Sequence, residues 1–205
     1  MGKEVKTNAM RILDRHKVAY EILNYECDEF IDGLHTAELT GAPVEQTYKT
    51  LVMQGKSKAY YVFVVQIAEE VDLKAAARVA GEKSVEMIHV KDITKITGYV
   101  RGGCSPLGMK KNYPVVFDQS AENFEEIYVS GGRVGLTLKV PLKDLLDVTQ
   151  GKLAPITAGV LGLGAAAIGT VEGTEELRSD LSKLDQNASD HKVSVDAARK
   201  AWEDF

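Results

Sequence analysis

The chain has 205 residues, of which 44% are hydrophobic and 27% are charged, and its formal net charge at pH 7 is −5. Such a chain can bury one sizeable core with residues left over, and its negative balance argues against a general nucleic-acid-binding protein. The two cysteines, Cys27 and Cys104, exclude a disulfide framework and a CxxC metal pair. Residues 1–17 contain no apolar signal-peptide core, so we expect a reducing, cytoplasmic setting. The four histidines show no metal-ligand spacing, so we expect neither a metal nor a cofactor.

The first three quarters of the chain mix short helices with short strands. Ala9, Ile12, Leu13 and His16 recur at helical spacing and predict a helix over 7–17, capped by Thr7 or Asn8. The further predicted elements are strand 18–25, helix 37–40, strands 50–54 and 59–67, helix 73–79, strand 85–89, helix 91–96, strands 115–117, 126–130 and 134–140, and helix 142–148. The glycine pair 131–132 predicts a hairpin between the last two strands. Strands outnumber helices without strict alternation, which predicts an α+β fold: a mixed, partly closed sheet or barrel flanked by helices.

The end of the chain differs in composition. Residues 154–171 carry no charge, but they contain five alanines, four glycines and one proline, too weakly apolar for a membrane span of about 20 residues. Two later sets of apolar residues recur at helical spacing: Leu177, Leu181 and Leu184, and then Val195, Ala198, Trp202 and Phe205. We therefore expect a domain over 1–153, a linker with a helical tail over 154–205, and no stable membrane association.

The loop over 98–111 is the most unusual segment. Gly102, Gly103, Pro106 and Gly108 fall within seven residues, and adjacent glycines allow positive φ and bring backbone N–H groups close to a ligand. The window 83–111 also holds six cations against two acids, which are Lys83, Lys91, Lys95, Arg101, Lys110 and Lys111 against Glu86 and Asp92. Glycine and cations together predict a pocket for an anionic or carbonyl-bearing substrate. A structural turn and a solvated charged face are the alternatives.

Three separated motifs carry a family resemblance. They are Thr47-Tyr-Lys-Thr-Leu-Val52, then Gly102-Gly-Cys-Ser-Pro-Leu-Gly108 with the two lysines that follow, and Ile127-Tyr-Val-Ser-Gly-Gly-Arg133. In order and spacing they resemble the YbaK family of Cys-tRNA(Pro)/Cys-tRNA(Cys) deacylases, which are related to the editing domain of bacterial prolyl-tRNA synthetases. The resemblance covers residues 5–153 and leaves the tail without a counterpart.

The resemblance implies a free-standing, cytoplasmic trans-editing deacylase that removes Cys from mischarged tRNA(Pro). Its expected partners are the aminoacyl-tRNA and, in addition, prolyl-tRNA synthetase. The expected catalytic positions are Lys49, Thr50, Gly102 and Ser130. The expected substrate-binding positions are Tyr25, Phe30, Arg101, Gly103, Ser105, Lys110 and Lys111. The same side chains also have structural interpretations: a surface lysine, hydroxyls that cap strand ends, and a half-buried core tyrosine.

The expected chemistry needs no protein nucleophile. Backbone N–H groups around Gly102 and Gly103 could stabilise the oxyanion of an aminoacyl ester, and no Ser-His-Asp set is evident. The resemblance implies that the thiol of the substrate cysteine attacks its own ester carbonyl. Cys104 fills a position that is usually aliphatic in the family, so we interpret it as a small packing residue rather than a nucleophile. A non-catalytic tRNA- or synthetase-binding module and a deacylase for another small amino acid remain as alternatives.

Overall fold

The helices and strands expected before residue 149 are all present in the computed structural model, which describes residues 5–26 and 33–158. Their order is α1 (Asn8–Arg15), β1 (Glu21–Asn24), α2 (Gly33–Thr40), β2 (Tyr48–Gly55), β3 (Tyr60–Gln66), α3 (Leu73–Ala80), β4 (Val85–Met87), α4 (Ile93–Thr97), β5 (Val115–Asp118), β6 (Glu126–Ser130), β7 (Leu136–Pro141), α5 (Leu142–Thr149) and β8 (Lys152–Ala154). Short 3₁₀ helices lie at Val44–Gln46, Val90–Asp92 and Gln119–Asn123. Within the described ranges, no helix is long and apolar enough to cross a membrane.

The strands form two sheets that meet along β2 and β6. One sheet has the order β1-β7-β6 and is antiparallel throughout. The other has the order β4-β2-β3-β5-β8, in which β3, β5 and β8 run parallel and the remaining neighbours antiparallel. A parallel bridge between Thr47 and Tyr128 joins the start of β2 to β6. The expected mixed, partly closed sheet is thereby confirmed.

The alternation along β3 builds two cores on opposite faces of the larger sheet. Val62 and Val64 point into the main core, whereas Phe63 and Val65 point into a second core that α3 covers. The main core also receives apolar side chains from the smaller sheet and from α1: Ile127, Val129, Leu136, Leu138 and Val140, together with Ala9, Met10 and Leu13. The sheets therefore face one another across a shared apolar layer, and the site described below lies at its edge.

Helix α1 is present as predicted, but His16 does not belong to its apolar stripe. Thr7 is the N-cap, and its hydroxyl accepts a hydrogen bond from Met10 N at 3.3 Å. The buried residues of the helix are Ala9, Met10 and Leu13, whereas His16 is exposed. The helix ends at Arg15, so His16 is already its C-cap and no longer follows the helical stripe.

The chain stays within the folded unit beyond the expected start of the linker. Strand β8 pairs with β5, and Ile156 is fully buried. The buried Asp118 carboxylate accepts hydrogen bonds from the backbone N–H of Ile156 at 3.1 Å and of Thr157 at 3.2 Å. Residues 154–157 thus contact the folded unit, because the edge of β5 offers backbone partners that a short, weakly apolar segment can use. The rest of the expected linker and the helical tail, residues 159–205, lie outside the described residues, and the division into domains stays a prediction.

Candidate functional site

A cavity of about 420 Å³ lies where β2, the β6–β7 hairpin and the glycine loop meet. Its volume falls in the range of small-molecule sites, about 300–1,000 Å³. Six of the expected site residues line it, namely Tyr25, Lys49, Thr50, Arg101, Gly102 and Ser130. They come from four separate segments of the sequence, and the fold brings them to one place.

Two hydroxyl groups in this cavity lack hydrogen-bond partners. The Oγ1 atom of Thr50 and the Oγ atom of Ser130 are shielded from solvent, and neither is hydrogen-bonded within the described part of the chain. Thr50 lies in β2 opposite Val64, and Ser130 ends β6 opposite Thr137, so rigid paired strands hold both groups in place. A buried hydroxyl without a partner costs about 1–3 kcal/mol. Both groups are therefore suited to bind polar atoms of a ligand.

Lys49 places a partly dehydrated ammonium group at the cavity wall. The side chain is half-buried, and its Nζ donates a hydrogen bond to the carbonyl oxygen of Ile67 at 3.1 Å. Burial lowers the pKa of Lys49, while the nearby carboxylates of Glu70 and Glu69 act in the opposite direction. The geometry leaves donor capacity on the ammonium, which suits a phosphate or a ribose oxygen.

The two adjacent glycines of the loop differ in whether their backbone N–H is hydrogen-bonded within the protein. Gly102 has a φ of +81°, and Gly103 N–H donates to the carbonyl oxygen of Val100 at 3.1 Å, which closes a β-turn. The Gly103 N–H is therefore occupied in this structure, and the expected substrate-binding role of Gly103 stays a prediction. Gly102 N–H makes no hydrogen bond with the described residues, and Gly102 lines the cavity.

Gly103 serves packing instead. A Cβ atom at this position would lie 2.9 Å from Arg133 Cα and 3.0 Å from Arg133 C. Only glycine lets the loop approach the backbone of the β6–β7 hairpin this closely. The contact positions the loop against the hairpin that carries Ser130.

Helix α1 fixes the same arrangement from the other side. Thr7 Oγ1 donates to the carbonyl oxygen of Gly131 at 2.6 Å, and Asn8 Nδ2 donates to that of Gly108 at 3.0 Å. One helix start thereby holds both the hairpin next to Ser130 and the glycine loop. These anchors were not identified from the sequence, because a residue at a helix start gives no sign of a contact 100 or more residues away.

Four expected substrate-binding residues do not join the cavity lining. Ser105 is fully buried, and its hydroxyl accepts a hydrogen bond from Leu107 N at 3.3 Å, which is a structural role within the loop. Lys110 is exposed and donates to the carbonyl oxygen of Thr94 at 3.1 Å, and Lys111 is exposed as well. Gly103 is the fourth of these residues, and Phe30 lies outside the described residues.

Cys104 lines the cavity but has the properties of a packing residue. Its side chain packs against the main core, and burial raises the pKa of the thiol to about 12, although the neighbouring Thr97 side chain acts in the opposite direction. The thiol is therefore neutral near pH 7, whereas a nucleophilic cysteine needs its thiolate.

The part of the cavity wall that sequence reasoning missed comes from the segment between β4 and α4. Met87, Ile88, Val90 and Ile93 line the cavity on this side. The sequence did carry a signal for this part of the wall, because these apolar residues fall within the basic window 83–111 that predicts a substrate pocket. No histidine in residues 5–26 or 33–158 lines the cavity, and no group of three or more potential metal ligands occurs in these residues.

The comparisons with known proteins converge on one family. Residues 34–148 match the aminoacyl-tRNA editing domain family. The Enterococcus faecalis protein EbsC, whose name assigns it to the Cys-tRNA(Pro)/Cys-tRNA(Cys) deacylases, is 39% identical over 153 residues, which are 74% of this chain and 93% of that protein. A proline–tRNA ligase of Cupriavidus necator is 25% identical over 140 residues, which are 62% of this chain but 24% of the ligase.

Solved structures share the fold at lower sequence identity. A protein described as a trans-editing enzyme for prolyl-tRNA synthetase has a TM-score of 0.65 at 23% identity, and the match covers 76% of this chain and all of that chain. The hypothetical protein APE2540 has a TM-score of 0.68 at 19% identity, with 74% of this chain and 99% of that chain covered. At these identities the likeness shows a shared fold.

Proposed function

The chain belongs to the aminoacyl-tRNA editing domain family, and we propose that it is a free-standing trans-editing deacylase that removes cysteine from mischarged tRNA(Pro). The observation that carries this proposal is the pair of shielded, unpartnered hydroxyls of Thr50 and Ser130 in one cavity with Lys49. A purely structural domain gains nothing from such groups, because each costs free energy until a ligand binds it.

The roles of the three side chains follow from their chemistry. An aminoacyl ester brings an α-ammonium group and a carbonyl oxygen into the cavity, and hydroxyls can accept from the first and donate to the second. The Lys49 ammonium binds the ribose–phosphate end, where negative charge is fixed. Gly102 N–H is available to the carbonyl oxygen as charge develops on it.

The nucleophile in this proposal is the substrate's own thiol. Its sulfur forms a bond to the ester carbonyl carbon, the bond from that carbon to the ribose oxygen breaks, and the thiol proton passes by way of solvent to the ribose oxygen. The products are cysteine thiolactone and tRNA with a free terminal hydroxyl. Orientation of two groups within one small molecule can contribute several kcal/mol to such a step. The neutral Cys104 thiol agrees with this division of roles.

The test compares Cys-tRNA(Pro) with Ser-tRNA under single-turnover conditions. Serine is nearly isosteric with cysteine, but almost no hydroxyl ionises near pH 7 whereas a few per cent of a free thiol does. A pocket alone separates two such isosteres only modestly. We expect a large preference for cysteine and recovery of the thiolactone. Comparable hydrolysis of both substrates would exclude the thiol mechanism.

The same assay distinguishes the alternative functions. A panel of tRNAs charged with alanine, proline, serine and cysteine identifies a deacylase for another amino acid. Tight binding of Cys-tRNA(Pro) without turnover would identify a non-catalytic module. Lys49→Ala should abolish deacylation in a folded protein, and wild-type rates in this variant would contradict the proposed role of the ammonium.

An association with prolyl-tRNA synthetase is part of the proposal. In the ligase that resembles this chain, the matching segment is one part of a much longer polypeptide. A separate protein that binds the synthetase would meet the mischarged tRNA as it is released. Co-sedimentation of the purified protein with prolyl-tRNA synthetase, with and without tRNA, tests this association.

A further inference from the structure

The cavity continues onto the protein surface over an apolar wall, which we call the outer wall and which consists of Met87, Val90 and Ile93. Met87 ends β4, Val90 begins a 3₁₀ helix, and Ile93 begins α4. Met87 is 50% exposed and Val90 is 57% exposed, although all three residues line the cavity. Large apolar side chains that are both exposed and continuous with a pocket indicate a binding surface.

The volume of the cavity exceeds what the aminoacyl group needs. A cysteinyl group has six heavy atoms, whereas cavities near 420 Å³ commonly hold drug-sized ligands. The ester joins this small group directly to the ribose of the terminal adenosine. When the acyl group lies beside Thr50 and Ser130, the ribose and its base must therefore lie towards the mouth of the same cavity.

The charges near the outer wall suit the rest of an acceptor strand. Lys91 follows Val90 directly, Lys95 lies on α4, and both side chains are exposed. Glu86 and Asp92 lie on the same segment, but the window 83–111 retains an excess of four positive charges. Single-stranded nucleic acid binds where positive charge attracts its phosphates beside a surface on which the faces of its bases pack, and here aliphatic and thioether groups form that surface.

We propose that the outer wall binds the adenine of the 3′-terminal adenosine of the substrate tRNA, and that Lys91 and Lys95 attract the phosphates that precede it. This inference rests on the proposed function. The thioether of Met87 and the side chain of Val90 contact the face of the base, since sulfur and branched aliphatic groups pack favourably on aromatic rings. The wall thereby orients the ester over the hydroxyls without contacting the reacting atoms.

The test uses the full-length double variant Met87→Ala/Val90→Ala. Contact of a thioether with an aromatic ring contributes about 0.3–1.5 kcal/mol, so we expect KM for Cys-tRNA(Pro) to rise about 2- to 10-fold while kcat changes little. The matched control is Leu73→Ala, because Leu73 is 49% exposed, begins α3 and does not line the cavity. This control should keep the wild-type KM.

Two further measurements make the outcome independent of turnover. Adenosine 5′-monophosphate should bind the wild type more tightly than uridine 5′-monophosphate, and the double variant should lose that difference. The variant Lys91→Gln/Lys95→Gln should weaken tRNA binding and reduce its dependence on salt concentration. If the wild type does not deacylate Cys-tRNA(Pro) but still binds adenosine 5′-monophosphate, the proposed function is overturned and adenine binding by the outer wall is not.

Three results would overturn the inference itself. The first is a wild-type KM together with an unchanged nucleotide preference in the double variant. The second is an equal loss in Leu73→Ala. The third is a dimeric wild type that the double variant converts to monomer in sedimentation, which would show that a second copy of the chain covers the outer wall.

Discussion

Removal of the Thr50 hydroxyl should impair activity without impairing stability. Thr50→Val keeps the branched shape that suits strand β2 and deletes only the Oγ1 atom, which has no partner among the described residues. We expect the free energy of unfolding to stay unchanged or to rise by up to about 1 kcal/mol, because no hydrogen bond within the protein is lost. For a chain of this size, about 1 kcal/mol corresponds to roughly 2–4 °C in Tm.

The same substitution should lower kcat/KM strongly. If the hydroxyl accepts a hydrogen bond from the substrate's α-ammonium group, its loss costs about 1.5–3 kcal/mol. That corresponds to about a 10- to 150-fold decrease in kcat/KM for Cys-tRNA(Pro). Ser130→Ala should behave in the same way, since its Oγ atom is equally shielded and unpartnered.

Thr97→Val is the matched control. The Thr97 hydroxyl is buried, donates to the carbonyl oxygen of Ile93 at 2.8 Å and accepts from Tyr99 N at 3.0 Å. Its removal leaves a buried N–H without a partner, so we expect a loss of about 1–3 kcal/mol in stability. Urea unfolding and single-turnover deacylation are measured for all three variants. A Thr50→Val protein that is destabilised as much as Thr97→Val, or that retains wild-type kcat/KM, would refute the reasoning.

Three further predictions concern the charge of Lys49, the thiol of Cys104 and the contacts of Asp118 with the end of the folded unit. Because burial lowers the pKa of Lys49 below its usual 10.5, the ammonium is lost as pH rises through that lowered value, and kcat/KM corrected for spontaneous hydrolysis should fall on an alkaline limb centred below 10.5. Lys49→Arg should move this limb to higher pH, since a guanidinium stays charged; an unmoved limb would exclude Lys49 as its origin. Cys104→Ala should keep the deacylation rate within several-fold because the thiol is neutral, and a hundredfold loss would instead indicate a protein nucleophile. Asp118→Asn should lower the free energy of unfolding by about 1.5–3 kcal/mol, because charge-assisted hydrogen bonds to Ile156 and Thr157 weaken, and an unchanged urea midpoint would show that this segment contributes nothing.

Most of the fold could be predicted because its signals are local. The apolar alternation over 59–67 predicts β3, and the cap and stripe of α1 predict a helix, since each pattern reflects the geometry of its own element. The exception is β8, whose three residues carry little signal. It forms only because β5 leaves backbone groups unpaired at the edge of the sheet.

The candidate site was predictable where a motif of the family resemblance marks the position. Lys49, Thr50, Gly102 and Ser130 were identified from motifs, and all four line the cavity. The functional roles of these residues stay predictions. The lysines after the glycine loop were predicted from the basic window and from the same family motif, and neither signal says which side of a loop a flexible side chain occupies.

The sequence by itself determined the order of the elements, the mixed sheet and the motifs that mark the family, because periodicity, capping and glycine placement are properties of neighbouring residues. Only the tertiary structure decided which hydroxyls lack a partner, which glycine N–H is already occupied, and which apolar residues form the outer wall. The physical reason is that a hydrogen-bond partner or a cavity neighbour is set by where distant segments cross. Thr50 and Ser130 come to line one cavity through the packing of two sheets, and no local pattern near either residue records that packing.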